Sequence, residues 1–291
     1  MQKNAAAKNQ MLYIGLFFFF LVLTVFITWR SKHVESRNAY LSPEAQIPTL
    51  FVHGYKGTVR SFQNMLYRFE QHYHWGSKKM VITVDRLGNA HIYGALHPNS
   101  KHPLIQVVFE NNRASIEETA YWLKNVMKRL KKDYSIEDVY IVAHSMGGLV
   151  STKYIEDTNG HAEYPTVSKI VILGSPFQGI DRESYFRANT GKALKDLKAG
   201  SAALQQLYNH RRQFSLKTIV LNIVGDNPNY HHSDGVVPVQ SALGVRNIVP
   251  GENYNEIIVN DEQVTHSGLH ESREIDKYIG EFLWGYAPPV R

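Results

Sequence analysis

A serine with the surroundings of a nucleophile lies midway along the chain. Residues 141–148 read Ile-Val-Ala-His-Ser-Met-Gly-Gly, within an apolar run that begins at Val139, and an amphipathic segment follows at once. This pattern predicts a strand, a tight turn with Ser145 at its apex, and a helix. Such a turn exposes the serine hydroxyl at a sheet edge and points the next backbone N–H into the same space. The common form is G-x-S-x-G, and here Ala143 replaces its first glycine.

A reactive serine also needs donors that hold the negative charge formed on the attacked oxygen. Residues 48–57 read Pro-Thr-Leu-Phe-Val-His-Gly-Tyr-Lys-Gly, which predicts another apolar strand that ends at His53 and Gly54. This strand, followed further along by the serine turn, resembles the α/β-hydrolase fold. The resemblance implies that the backbone amides of Tyr55 and Met146 form an oxyanion hole.

Two histidines compete for the role of the base that activates the serine. His266 and His270 lie in residues 264–271, after the last predicted strand and before the last predicted helix. The family places its histidine in this region, and H-x-G-L is similar to the small lidless lipases of the fold, which favours His266. His144 is assigned to packing and hydrogen bonding, because a neighbour on a tight turn points away from the serine hydroxyl.

Two aspartates qualify as the acid that orients the histidine. Asp226 directly follows a predicted strand over 218–224, and Asp234 lies in the sequence Ser-Asp-Gly-Val-Val-Pro. The S-D-G-x-V-P pattern resembles the acid loop of lipase-like members, so Asp234 is preferred. Gly-Asp-Asn-Pro-Asn around Asp226 is also typical of a turn. The carboxylate would fix the imidazole tautomer and stabilise the imidazolium.

The resemblance extends over residues 47–285 and is closest to membrane-anchored cell-surface hydrolases of Gram-positive bacteria. Besides the His-Gly strand, the shared motifs are A-H-S-M-G-G, G-S-P-F, S-D-G-x-V-P and T-H-S-x-L-H. The departures are Ala143 and Lys56, which replaces a small residue of the oxyanion turn. Lys56 either faces solvent, crowds the pocket mouth or attracts an acidic substrate.

These residues together predict a serine hydrolase that cleaves carboxylic esters through a Ser-His-Asp triad and an acyl-enzyme. The triad would consist of Ser145, His266 and Asp234, and no metal or organic cofactor is required. Three alternatives remain open. One is an acyltransferase that acts on an envelope acceptor, and another is a non-catalytic surface protein. The third is a hydrolase of C–C or peptide bonds that uses the same residues, since a fold does not dictate its chemistry.

The segment 176–217 separates two predicted core strands and is expected to form a small cap. Residues 193–208 show weak helical periodicity. Tyr185 and Phe186 are candidates for the pocket or for the interior of the cap itself. The residues assigned to substrate binding are His53, Gly54, His144 and Phe177.

The remaining pattern explains how these residues are positioned. Strands are predicted over 47–53, 79–85, 105–109, 139–142, 169–173, 218–224 and 256–259, with a hairpin at Gly88-Asn89. Helices are predicted over 58–71, after a capping box from Ser115 to Glu118, and over 271–284. Alternating strands and helices predict an α/β domain over 47–291 with a doubly wound, mostly parallel sheet.

The N-terminal region predicts a membrane anchor. Residues 11–29 carry no charge, and as a helix they would extend about 28 Å, close to the hydrocarbon thickness of a bilayer. No small-x-small cleavage site follows, so an uncleaved single-pass anchor is expected. Residues 1–10 form a short basic tail and residues 30–46 a polar tether. The short tail favours a catalytic domain outside the cell.

Composition restricts the possible partners. The chain of 291 residues has a net charge of +6, and its basic residues are scattered rather than interleaved with aromatic side chains. No nucleic-acid partner is therefore predicted. The chain has no cysteine, which excludes disulfides and thiolate metal sites. The expected partners are an ester substrate, small or lipid-like, and the membrane.

Overall fold

The computed structural model describes Thr24, residues 47–97 and residues 100–286. The predicted basic tail, anchor and tether over residues 1–46 lie outside the described residues, apart from Thr24. Among the helices that the described residues form, none is long and apolar enough to cross a membrane. Nearly all of the predicted hydrolase domain is described.

The described residues form eight strands in one sheet. These are β1 (Thr49–Val52), β2 (Ser77–Val84), β3 (Ala90–Gly94), β4 (Pro103–Phe109), β5 (Asp138–His144), β6 (Thr166–Leu173), β7 (Ile219–Asp226) and β8 (Tyr254–Asn260). Their order in the sheet is β3-β2-β4-β1-β5-β6-β7-β8. Among the pairs of these strands only β2–β3 is antiparallel, which confirms the predicted mostly parallel sheet.

Helices cover both faces of this sheet. They are α1 (Gln63–Tyr67), α2 (Ile116–Tyr134), α3 (Met146–Thr158), α4 (Glu183–Arg187), α5 (Ala193–Leu197), α6 (Ala202–His210), α7 (Val239–Ala242) and α8 (Arg273–Trp284). Alternate residues of β1 enter two separate cores, because side chains along a strand alternate between faces. Leu50 packs with α2 and α3, whereas Phe51 packs with α1 and α8. The predicted doubly wound arrangement is therefore confirmed.

The helix predicted over 58–71 has different bounds in the structure. It begins at Gln63 and passes after Tyr67 into a π-helical turn, Arg68–His72. The preceding residues form hydrogen-bonded turns instead, in which the Ser61 hydroxyl accepts from the Thr58 amide at 2.9 Å. A serine hydroxyl of this kind competes with the helical backbone for donors and delays the helix start.

The insertion between β6 and β7 contains three short helices, α4, α5 and α6, rather than one periodic segment. The periodicity over 193–208 is interrupted at Lys198, which forms an isolated parallel bridge with Ile180. Ser201 then caps α6 by accepting a hydrogen bond from the Leu204 amide at 3.3 Å. A serine cap satisfies one of the free amides at a helix start, so it favours a new helix at this point.

Glu156 on α3 is a carboxyl group in the interior of the fold. Glu156 is 3% exposed, and its Oε1 has no hydrogen-bond partner among the described residues. Burial raises the pKa of this carboxyl from 4.5 to about 8. The folded state therefore retains a proton between these pH values that the unfolded chain has released, and stability falls as pH rises through this window.

Glu156→Gln is expected to stabilise the fold at alkaline pH. Glutamine keeps the shape of the side chain and does not ionise, so the free energy of unfolding should rise by about 1–3 kcal/mol at pH 8 and little at pH 5. Urea unfolding of both proteins at the two pH values measures the difference. An equal gain at both pH values would show that ionisation of Glu156 is not the cause.

Candidate active site

Ser145 is the single residue between β5 and α3. Its backbone has φ 56° and ψ −129°, outside the regions that L-residues normally occupy. The Ser145 amide donates to the Leu173 carbonyl at 2.9 Å, which holds the turn against β6. A Cβ at Gly147 would lie 2.3 Å from the Val52 carbonyl oxygen, so only glycine permits this approach of α3 to β1. The predicted strand, turn and helix around the serine are present.

The structure brings Ser145, His266 and Asp234 into one hydrogen-bonded chain. His266 Nδ1 lies 2.7 Å from Asp234 Oδ2, and His266 Nε2 lies 3.0 Å from Ser145 Oγ. With Nδ1–H donating to the carboxylate, Nε2 accepts from the serine hydroxyl. This is the tautomer in which an imidazole can take the hydroxyl proton.

Asp234 is held in one orientation by its own loop. Its side chain is 1% exposed, and Oδ1 accepts from the amides of Val236 and Val237 at 2.9 and 2.7 Å. The other oxygen, Oδ2, faces His266. Gly174 has φ 54°, and a Cβ there would lie 2.8 Å from Asp234 Oδ2, so the end of β6 requires a glycine beside the carboxylate.

The two alternative site residues have other partners. His270 Nδ1 lies 3.2 Å from Glu271 Oε1, and burial lowers the pKa of His270. The carboxylate of Asp226 lies 3.2 Å from His232 Nδ1. Within the described residues, neither His270 nor Asp226 is hydrogen-bonded to Ser145 or to the His266 ring.

His144 bonds to the loop that carries His266 and makes no hydrogen bond to the serine hydroxyl within the described residues. Its Nε2–H donates to the His266 carbonyl at 2.8 Å, and the two rings lie 4.6 Å apart. Burial lowers the pKa of His144 well below its ordinary value, with the nearby histidines adding to this effect. The ring is therefore neutral, and its N–H anchors the backbone of His266.

The turn after β1 approaches the serine closely. A Cβ at Gly54 would lie 2.7 Å from Ser145 Cβ and 3.2 Å from the Met146 amide nitrogen. The turn is closed by the Gly57 amide, which donates to the Gly54 carbonyl at 3.0 Å. Among the described residues, the backbone amides of Tyr55 and Met146 have no hydrogen-bond acceptor. Neither amide is therefore satisfied within the described part of the chain.

His53 lies beneath this turn, with both ring nitrogens engaged by the backbone. Its Nδ1–H donates to the Gly54 carbonyl at 2.8 Å, and its Nε2 accepts from the Phe109 amide at 3.0 Å. The residue is 3% exposed, and burial lowers its pKa to about 4. Of the residues assigned to substrate binding, Gly54 lies beside the serine. The rings of His53 and His144 instead bond to backbone groups of the neighbouring segments.

Phe177, near the start of the insertion, lines a cavity of about 680 Å³. Leu204, Tyr208 and Ile248 also line this cavity, whereas Ser145 does not. Tyr185 and Phe186 pack edge to face, with ring centroids 5.5 Å apart, and both are half-buried against the core.

Sequence reasoning missed two residues that contact the turn after β1 and a third that bonds to one of them. Asn189 and Thr190, in the insertion, bond to Lys56 and Tyr55, and Arg113 bonds to Thr190. No local motif marks these residues, because their contacts join segments that are distant in sequence. Lys56, one of the departures from the family pattern, therefore bonds to the insertion.

Comparison with solved structures places the fold. The product of gene lin2722 from Listeria innocua aligns with a TM-score of 0.73 and 29% identity, over 84% of this chain and 96% of that one. A protein from Lactobacillus plantarum WCFS1, described provisionally as a cell surface hydrolase, aligns with a TM-score of 0.67 and 21% identity, over 84% and 94%. Lipase BlEst2 from Bacillus licheniformis aligns with a TM-score of 0.50 and 16% identity, over 79% and 88%.

Comparison with family models identifies the family. No match is found among curated proteins. A family model described as "Alpha/beta hydrolase of unknown function (DUF915)" matches residues 37–286, which is most of the chain. The eight-stranded, mostly parallel sheet agrees with this match. The chain belongs to the DUF915 family of α/β hydrolases.

Proposed function

We propose that this protein is a serine hydrolase that cleaves carboxylic esters. The observation that carries the proposal is the hydrogen-bonded chain from Asp234 through His266 to Ser145, beside two free backbone amides. A nucleophile, a base and an orienting acid in hydrogen-bonding sequence are what acyl transfer through a serine requires.

The reaction would proceed through an acyl-enzyme. His266 Nε2 takes the proton of Ser145 as Oγ attacks the ester carbonyl, and the Tyr55 and Met146 amides bind the oxyanion. The imidazolium, stabilised by Asp234, then protonates the leaving alcohol. A water molecule, activated by His266 in the same way, releases the carboxylic acid and restores the serine.

The proposed location is the outer surface of the membrane. An uncharged apolar segment over 11–29 suits a single-pass anchor, and the short basic tail before it favours an external catalytic domain. The description of the Lactobacillus plantarum relative as a cell surface hydrolase fits this location. Protease treatment of intact cells should cleave the domain if it is external and leave it whole if it is internal.

The proposed activity is tested with the full chain in mild detergent. p-Nitrophenyl esters of increasing acyl length should be hydrolysed, with an optimum length that reflects the size of the pocket. Methanol added as an acceptor separates hydrolysis from acyl transfer, because a transferase would form methyl ester in preference to free acid. A folded protein that hydrolyses none of these esters would contradict the proposal.

His144→Leu is expected to lower kcat about 10-fold, because it removes the N–H donor of the His266 carbonyl and loosens the loop that holds the base. His144→Gln retains an N–H donor of similar reach and should recover part of the loss. Steady-state ester hydrolysis by the three proteins measures this. Equal kcat values for wild type and the leucine variant would refute the anchoring role.

A further inference from the structure

The turn that carries the free Tyr55 amide is tied to the insertion by its side chains. The Tyr55 hydroxyl donates to the Thr190 carbonyl at 2.6 Å and accepts from the Thr190 amide at 3.1 Å. The next residue, Lys56, donates through Nζ to Asn189 Oδ1 at 2.7 Å. We call these four residues the clasp. Two consecutive residues of the turn thus bond two consecutive residues of the loop between α4 and α5.

The insertion side of the clasp is itself fixed in place. Arg113 Nη1 donates to Thr190 Oγ1 at 2.6 Å, and the Arg113 carbonyl accepts from the Ala193 amide at 3.1 Å. Asn189 Nδ2 donates to the Tyr185 carbonyl at 2.7 Å. The loop is therefore hydrogen-bonded to residues on both sides of the partner of Tyr55.

The turn side needs such support. Lys56 has φ 60°, a left-handed conformation that is uncommon for a residue with a side chain. The Lys56 amide donates to the Asn112 carbonyl at 2.8 Å, which holds the turn on the side of β4. The Tyr55 amide lies between this bond and Gly54 and has no acceptor of its own among the described residues. An oxyanion donor must be held within about 0.5 Å and 10–20° of its working geometry.

We propose that the Tyr55 side chain has a positioning role. Through its two bonds to Thr190, the phenol fixes the direction in which the Tyr55 amide points toward the oxyanion. This inference rests on the proposed ester hydrolysis. The amide would touch the reacting oxygen, whereas the phenol acts through the backbone of its own residue. Because the phenol both donates to and accepts from one residue, it sets the distance and the rotation of the turn together.

Tyr55→Phe in the full chain tests the inference. It removes both bonds to Thr190 and keeps the ring, so kcat should fall about 10-fold while KM changes less than about 2-fold. The inhibition constant of a trifluoromethyl ketone, whose adduct resembles the oxyanion, should rise by the same factor. Tyr121→Phe is the matched control, because Tyr121 is 54% exposed on α2 and outside the clasp.

Hydrogen exchange gives a measurement that does not depend on activity. The amides of Lys56 and Gly57, which donate to Asn112 and Gly54, should exchange several-fold faster in Tyr55→Phe than in wild type or Tyr121→Phe. Unchanged kcat and exchange, or a rise in KM at constant kcat, would overturn the positioning role. A wild-type chain without ester hydrolysis would overturn the proposed function instead. If the exchange rates of Tyr55→Phe and wild type were then also equal, the clasp would not hold the turn in place.

Discussion

Ser145→Ala is expected to lower kcat for ester hydrolysis by about 10⁴-fold or more, with little change in folding. Removal of Oγ leaves His266 without a proton donor on the substrate side and leaves no group to form the acyl-enzyme. The residue that replaces serine is small, so the turn between β5 and α3 is retained. Ester hydrolysis and thermal unfolding of the purified variant measure the two effects.

A matched control comes from α3, the helix that follows Ser145. Ser151 on α3 is fully buried, and its hydroxyl has no hydrogen-bond partner among the described residues. Ser151→Ala should therefore retain wild-type kcat, which separates the loss of a nucleophile from the loss of a serine hydroxyl. Activity that survives in Ser145→Ala would exclude Ser145 as the nucleophile.

Asp234→Asn is expected to lower kcat about 10⁴-fold while leaving the fold intact. The asparagine amide can donate to His266 Nδ1, which places the proton on Nε2. In that tautomer the imidazole faces the serine with an N–H and no longer accepts its proton. The histidine is then held in place but cannot act as a base.

Asp226→Asn is the control for this substitution. Asp226 ends β7, is 8% exposed and pairs with His232 rather than with His266. Its amide variant should keep kcat within about 2-fold of wild type, because neither Asp226 nor its exposed partner His232 is hydrogen-bonded to Ser145, His266 or Asp234 within the described residues. The opposite result, with activity lost in Asp226→Asn and retained in Asp234→Asn, would reassign the acid.

The parts of the fold that local pattern determines were predictable from the sequence. The strands of the sheet read as short β-branched runs, since parallel strands are buried on both faces and show continuous apolar residues. The hairpin at Gly88-Asn89 and the capping box at Ser115 are also local signals, and the structure contains both. Residues 58–62 were less predictable, because side-chain hydrogen bonds there compete with the helix.

The candidate site was predictable only in part. The serine turn carries its own sequence signature, but the choice of His266 over His270 came from family resemblance rather than from spacing. In the structure the two imidazoles differ in their partners, Ser145 Oγ for one and Glu271 for the other. That difference depends on how the last loop crosses the sheet edge, which no local pattern specifies.

Covalent labelling tests the central claim most directly. The full chain is treated with a fluorophosphonate, digested, and the modified peptide identified by mass spectrometry. The proposed function predicts one label per chain, on Ser145, with loss of labelling in His266→Gln because the base no longer activates the hydroxyl. A folded chain that takes up no label, or that is labelled on a different serine, would contradict the account.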